Sequence, residues 1–113
     1  MKTAFYDQAE EAAALLKAIA NEKRLLILCY LLAEGEKTVG ELVDHIGLSQ
    51  SALSQHLAKL REEGHVVFRK AAQNIFYRIA DPRTEKILTV LHDIFCPELG
   101  RSKSKSVRRG GKS

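Results

Sequence analysis

The sequence contains no apolar segment long enough to cross a membrane. Its longest uninterrupted apolar run, Leu25–Ala33, is far shorter than the roughly 18 residues that a membrane-spanning helix needs. The first twenty residues include Asp7, Glu10 and Glu11, which interrupt the apolar region that an export signal requires. We therefore expect a cytoplasmic protein without a membrane partner, whose two cysteines are reduced at rest.

Motifs typical of enzymes are also missing. The chain has no Gly-x-Ser-x-Gly turn, no Cys-x-x-Cys pair and no two histidines four positions apart. Its 113 residues leave room for one hydrophobic core and not for a separate catalytic domain. We expect a non-enzyme with no catalytic residues and no cofactor. A small thiol oxidoreductase is an alternative, although catalysts of that class usually carry their cysteines close together in sequence.

Positive charge is concentrated in two parts of the chain. Residues 101–113 carry six basic residues and no acidic one, and residues 49–79 have a net charge of +3, whereas residues 1–48 and 80–100 have net charges of −3 and −2. This distribution indicates a nucleic-acid partner. We predict a folded domain over residues 1–99 and a flexible basic tail over residues 100–113, which is either a nonspecific DNA arm or a solvated end.

Apolar spacing and turn residues predict a mainly α fold of the α+β type, with five helices and one β-hairpin. The predicted helices cover residues 3–19, 22–33, 39–47, 50–63 and 82–96, and the hairpin covers residues 66–79. Thr38 and Glu41 have the spacing of a capping box, and Asn21, Ser49 and Asp81 stand where N-caps are expected. Two helices joined by a tight turn and followed by a hairpin are typical of a winged helix-turn-helix.

The fourth predicted helix has a small polar surface at its start. Its leucines, Leu53, Leu57 and Leu60, share one face, which leaves short hydroxyl and amide side chains on the other. Recognition helices read base edges with such side chains in their first turns. The candidate DNA contacts are Gln50, Ser51, Ser54 and Gln55 for bases, Lys59 and Arg61 for phosphates, and Arg69, Lys70, Gln73 and Asn74 in the hairpin. His56 lies nearer the leucine face, so we expect it to serve the fold.

Two stretches of the chain resemble the ArsR/SmtB family of repressors. They are SQSALSQHLAKLREEGHVVFRKAAQNIFYRI, which resembles that family's recognition helix and wing, and NEKRLLILCYLL, which resembles its second helix. The resemblance covers about residues 5–98 and implies a homodimer, built from the first and last helices, that binds an inverted-repeat DNA operator and is released by a signal. Both terminal helices also carry more apolar surface than so small a core can cover, which independently favours two-fold pairing.

The metal-binding motifs of that family are absent. Residues 38–45, TVGELVDH, contain no cysteine, and the last predicted helix offers only His92 with Asp93 beside it. Because a tetrahedral zinc site needs four correctly placed ligands, we expect no metal site. A metal-responsive or general redox-responsive repressor of the same family is the alternative.

Cys29 and Cys96 are the chain's two cysteines. A lone cysteine on an apolar helix is usually a small core residue. However, Cys29 within LILCYLL and Cys96 within DIFCPEL resemble the reactive dithiol of the family's persulfide- and sulfide-sensing branch. That resemblance implies that the pair senses reactive sulfur species, and that the regulated genes serve sulfide detoxification.

Overall fold

Five helices and three short strands follow one another along residues 2–96, the part of the chain that this computed structural model describes. They are α1 Lys2–Ile19, α2 Glu22–Glu34, β1 Lys37–Thr38, α3 Val39–Ile46, α4 Gln50–Glu62, β2 Val66–Ala71, β3 Asn74–Ile79 and α5 Pro82–Phe95. Each helix lies within one residue of its predicted bounds, so the winged helix-turn-helix fold class is confirmed. The predicted tail, residues 100–113, lies outside the described residues.

Side-chain caps set where the helices begin. Asn21, Ser49 and Asp81 each accept a hydrogen bond from a backbone N–H in the first turn of α2, α4 and α5, at 2.9–3.1 Å. At the start of α3, Thr38 Oγ1 accepts from the backbone N–H of Glu41 at 3.2 Å, and the Thr38 N–H donates to Glu41 Oε1 at 2.9 Å. All four predicted caps are therefore present, and each satisfies a backbone donor that the helix leaves unpaired.

The end of α4 turns the chain sharply towards the hairpin. Gly64 has a φ of 85°, its N–H donates to the Arg61 carbonyl at 3.0 Å, and the N–H of His65 donates to the Leu60 carbonyl at 2.9 Å. This pair of bonds is a Schellman motif, which requires a left-handed residue and so favours glycine. The motif places β2 directly after α4.

The hydrophobic core surrounds α2. The fully buried large apolar side chains are Ile27, Leu28, Leu42, Leu53, Leu57, Leu60, Val66 and Leu88, which come from α2, α3, α4, β2 and α5. One polar pair is buried among them, with Nδ1 of His65 lying 3.0 Å from Oγ1 of Thr84. This contact ties the start of β2 to the first turns of α5. No helix within residues 2–96 has the length and apolar character of a membrane span.

The three strands form an antiparallel sheet in the order β1-β3-β2. β2 and β3 are joined by a two-residue turn, Ala72 and Gln73, in which Ala72 has a φ of 58°. β1 was not predicted, because two residues cannot display an alternating pattern; it forms because Lys37 and Thr38 pair with Tyr77 and Phe76 of β3. β2 and β3 make up the wing, and β1 attaches it to the start of α3.

Candidate nucleic-acid interface and cysteine pair

The first turns of α4 present a polar surface to solvent. Leu53, Leu57 and Leu60 have no exposed surface, so they hold α4 against the core through one face. The four predicted base contacts, Gln50, Ser51, Ser54 and Gln55, are all exposed. Since the Ser49 cap and the left-handed Gly47 before it define how the chain enters α4, these side chains stand at the end of the helix that a major groove receives.

The two basic residues further along α4, Lys59 and Arg61, have neighbours in other parts of the fold. Lys59 lines a cavity of about 680 Å³ between the end of α1, the start of α2 and the end of α4, in company with Lys17 and Arg24. The guanidinium of Arg61 lies 4.9 Å from the ring centre of Phe68 in β2, a cation–π contact that joins α4 to the wing. Lys59 and Arg61 are both exposed, and each also lies beside a second element of the fold.

The tip of the wing is exposed and polar. Lys70 at the end of β2, Gln73 in the turn and Asn74 at the start of β3 are all exposed, and the register pairs Lys70 with Ile75 and Ala71 with Asn74. These three predicted contacts are therefore neighbours at one end of the hairpin, where a wing meets the DNA backbone or the minor groove.

Arg69 forms a salt bridge with another residue of the chain, Glu36. Its Nη2 lies 2.8 Å from Oε1 of Glu36, and its Nε lies 2.9 Å from Oε2 of the same carboxylate. The hydrogen bond from Arg69 is the main reason that the pKa of Glu36 lies below its usual value. Glu36 could not be predicted from the sequence because it lies far from Arg69 along the chain, and only the pairing of β1 with β3 brings the two residues together.

His56 lies on the inner side of α4 and is only partly exposed. Its pKa is lowered, first by burial and second by the positive charge of nearby Arg24. Both effects favour the neutral imidazole, which does not attract phosphate.

Cys29 and Cys96 interact electrostatically although they are far apart in sequence. Both are free thiols and both are partly exposed. The pKa of Cys29 is raised, first by burial and second by the negative charge that Cys96 carries when ionised. Cys96 caps the end of α5, where its N–H donates to the His92 carbonyl at 2.7 Å. Because Leu88 of α5 belongs to the same core as α2, the two helices that carry the cysteines are packed together.

The described part of the chain, residues 2–96, contains no group of three or more His, Cys, Asp or Glu side chains arranged to hold a metal ion.

Seven large apolar side chains of the described residues are exposed. They are Tyr6 and Leu16 on α1, Leu26 on α2, Phe68 on β2, and Val90, Ile94 and Phe95 on α5. Five of the seven stand on the two terminal helices, which are the helices that the sequence predicts to form the dimer.

A helix-turn-helix that exposes the polar first turns of its second helix, followed by a hairpin, defines the winged helix-turn-helix class of DNA-binding proteins. A model of the family described as "Bacterial regulatory protein, arsR family" matches residues 21–66, from the cap of α2 to the first residue of β2. Together with the relatives below, this match shows that the chain belongs to the arsR family of transcription regulators, which bind DNA.

Regulators from two bacteria illustrate the likeness. The transcriptional activator HlyU of Vibrio cholerae is 51% identical over 86 residues, 76% of this chain and 79% of that protein. A biofilm growth-associated repressor of Xylella fastidiosa is 42% identical over 91 residues, 80% of this chain and 79% of that protein. The solved structure of reduced HlyU from V. cholerae matches with a TM-score of 0.77 at 48% identity, covering 81% of this chain and 96% of that one. Transcription regulation is the activity that these relatives share.

Proposed function

We propose that the chain is a homodimeric repressor that binds an inverted-repeat operator and releases it when reactive sulfur species join Cys29 to Cys96. The observation that carries the switch is the packing of α5, whose end carries Cys96, against α2, which carries Cys29, with both thiols free and partly exposed. The effect of Cys96 on the pKa of Cys29 agrees with this arrangement. The likeness to a biofilm growth-associated repressor supports repression. The likeness to a structure described as reduced HlyU supports a role for the redox state of the cysteines. The regulated genes would serve sulfide detoxification, as the resemblance of the cysteine segments implies.

The DNA contacts follow from the exposed polar side chains. Gln55 and its neighbours at the start of α4 read base edges, because amides and hydroxyls offer the donors and acceptors that major-groove edges require. Lys70, Gln73 and Asn74 at the wing tip contact the backbone. Two-fold pairing sets the recognition helices about 34 Å apart, one turn of DNA, so the operator is an inverted repeat.

The dimer is formed by the exposed apolar surface of the terminal helices. Leu16 on α1 is 52% exposed, and Ile94 and Phe95 on α5 are 61% and 76% exposed. Burying such side chains is favourable in proportion to the apolar area removed from water. A two-fold axis lets each chain cover the same surface of the other.

The sulfur chemistry balances with a persulfide RSSH as the only oxidant. A thiolate of the pair attacks the outer sulfur, which breaks the S–S bond of RSSH, forms a protein persulfide and releases RSH. The second thiolate attacks the inner sulfur of that persulfide, forms the Cys29–Cys96 disulfide and releases H₂S. When both cysteines first accept a sulfur atom, loss of one H₂S leaves a trisulfide instead, which spans a wider gap than a disulfide does.

The bridge acts on DNA binding through α5. In the reduced protein α5 packs on α2 through the common core, with Leu88 of α5 fully buried and Cys96 at the helix end. A covalent link adds a fixed distance at that end and shifts the dimer towards a different spacing of its recognition helices. DNA affinity falls because the operator selects only the original spacing.

A titration of labelled DNA tests the proposal. The probe is an inverted-repeat duplex that the reduced protein selects from a random pool. An organic persulfide is expected to weaken binding of the wild type and to leave binding of Cys29→Ser and Cys96→Ser unchanged, and a reductant should restore the wild type. Release of both serine variants by persulfide would refute the dithiol switch. Release by diamide but not by persulfide would instead indicate general redox sensing.

A further inference from the structure

The carboxylate of Glu36 holds an arginine from each strand of the wing. Three hydrogen bonds of 2.8, 2.9 and 3.1 Å join it to Arg69 of β2, and its Oε2 lies 3.9 Å from Nε of Arg78 in β3. The guanidinium of Arg69 also lies 4.9 Å from the ring centre of Phe76. Arg69 is therefore held by a carboxylate and by an aromatic ring at once.

The sheet register explains this arrangement. Arg69 stands directly opposite Phe76, and Arg78 lies two residues further along β3, so all three side chains share one face of the wing. Glu36 directly precedes β1, which pairs with β3, so its carboxylate reaches Arg69 across the central strand. The alternate positions, among them Phe68, form the other face, where Arg61 is stacked. Glu36 therefore contacts the face of the wing opposite the one that packs on α4.

The bonds to Glu36 use the same donors that a DNA phosphate would use. A guanidinium binds a carboxylate or a phosphate oxygen pair through two parallel N–H groups, and here Nε and Nη2 of Arg69 are both directed at Glu36. The hydrogen bond from Arg69 holds the pKa of Glu36 below its usual value, so the carboxylate is ionised at neutral pH. Lys70, next in the chain, has no ion pair within residues 2–96 and keeps its charge for DNA.

We propose that Glu36 is a built-in counter-ion of the wing, which competes with DNA phosphates for Arg69 and so lowers the affinity for DNA of arbitrary sequence. This inference rests on the proposed DNA-binding function and adds to it a residue that determines specificity. Base contacts from α4 do not involve Glu36, so its effect falls on the sequence-independent part of binding. The predicted phosphate contact of Arg69 then forms only when phosphate displaces the carboxylate.

The salt dependence of binding to a random-sequence duplex tests this role. Each phosphate neutralised by a basic side chain adds about 0.9 to the slope of log affinity against log salt. Glu36→Gln is therefore expected to steepen the slope by about one unit, an extra factor of about 4 in affinity between about 200 and 50 mM salt. The matched control is Glu34→Gln, which removes the same charge two residues before Glu36. The Glu34 side chain is exposed and has no ion pair within residues 2–96.

Two further measurements separate competition from a change in net charge. In a background that carries both Arg69→Gln and Arg78→Gln, Glu36→Gln should leave the salt slope unchanged, because neither of the arginines that Glu36 holds remains to be released. In DNA-free protein, Glu36→Gln should shift the Arg69 Nε–Hε NMR signal and speed its exchange with water. Equal slopes for Glu36→Gln and Glu34→Gln, weaker binding by Glu36→Gln, or an unmoved Arg69 signal would each overturn the proposal. A wild type that binds random and inverted-repeat DNA equally would contradict the proposed operator function and leave this comparison intact.

Discussion

The apolar end of α5 allows a quantitative test of the proposed dimer. Val90, Ile94 and Phe95 are 54%, 61% and 76% exposed in the single chain, so little of the fold depends on the outer parts of these side chains. Ile94→Asp places a carboxylate in the middle of that surface. We expect it to leave the protomer folded and to weaken association strongly.

The size of the effect follows from exposed area and symmetry. Full burial of an isoleucine side chain contributes about 1.5–3 kcal/mol, so the 61% of Ile94 that remains exposed corresponds to about 1–2 kcal/mol per protomer. A two-fold interface loses this contribution twice, about 2–4 kcal/mol, before any desolvation of the carboxylate is counted. The dissociation constant of the dimer should therefore rise by a factor of about 30 to 700.

Sedimentation equilibrium over a range of concentrations measures this change directly. Thr89→Asp is the matched control, since Thr89 is exposed on the same helix about 140° around its axis from Ile94. Circular dichroism checks that both variants stay helical. A wild type that is monomeric at micromolar concentration, or an Ile94→Asp variant that associates as tightly as Thr89→Asp, would refute the assignment of this surface to the dimer.

Four further predictions concern single side chains. Gln55→Ala should reduce the discrimination between operator and scrambled duplex by about 1–3 kcal/mol in competition binding, because a bidentate base contact is lost; Lys70→Ala should instead weaken both duplexes equally and flatten the salt slope by about one unit. Because burial and Cys96 raise the pKa of Cys29, its alkylation rate, followed by mass spectrometry, should keep rising with pH beyond the ordinary value of 9.0, and Cys96→Ser should make Cys29 react faster. Thr38→Ala removes the capping box of α3 and should lower the unfolding free energy by about 1 kcal/mol, a fall in Tm of about 4–8 °C by calorimetry; an unchanged Tm would contradict that role.

Local signals in the sequence were sufficient for the helices and the wing. Each N-cap side chain accepts from a backbone N–H within three residues, so the caps can be predicted from the local sequence. They are Asn21, Thr38, Ser49 and Asp81. The buried face of α4 was equally predictable, because residues that recur at helical spacing share a face. β1 could not be predicted, since its two residues become a strand only by pairing with β3, far along the chain.

The site was only partly predictable, because exposure and spacing do not reveal intramolecular partners. Arg69 has the residue type and position of a phosphate contact, yet its guanidinium is bound by Glu36 in the free protein. Arg61 in the same way lies over Phe68, and Lys59 lines the cavity beside α1. All three side chains remain exposed, but each is long enough to reach a neighbour in another element of the fold. Ser51 and Gln55 are exposed as the helical spacing of the leucines predicts.

The placement of the cysteines matters for how the proposed switch would work. Cys29 stands between the fully buried Leu28 and Tyr30, whose ring is stacked on His45 with 4.1 Å between centroids, so the α2 side of the pair is fixed by packing on both sides. Cys96 instead stands at the end of α5, where its backbone N–H donates to the His92 carbonyl. Because close-packed interiors resist displacement more than helix ends do, a sulfur bridge would move the end of α5 and leave α2 in place. That end carries the apolar side chains assigned to the dimer. The bridge would therefore alter how two chains meet without touching the polar surface of α4, so release would come from the spacing of two intact recognition helices.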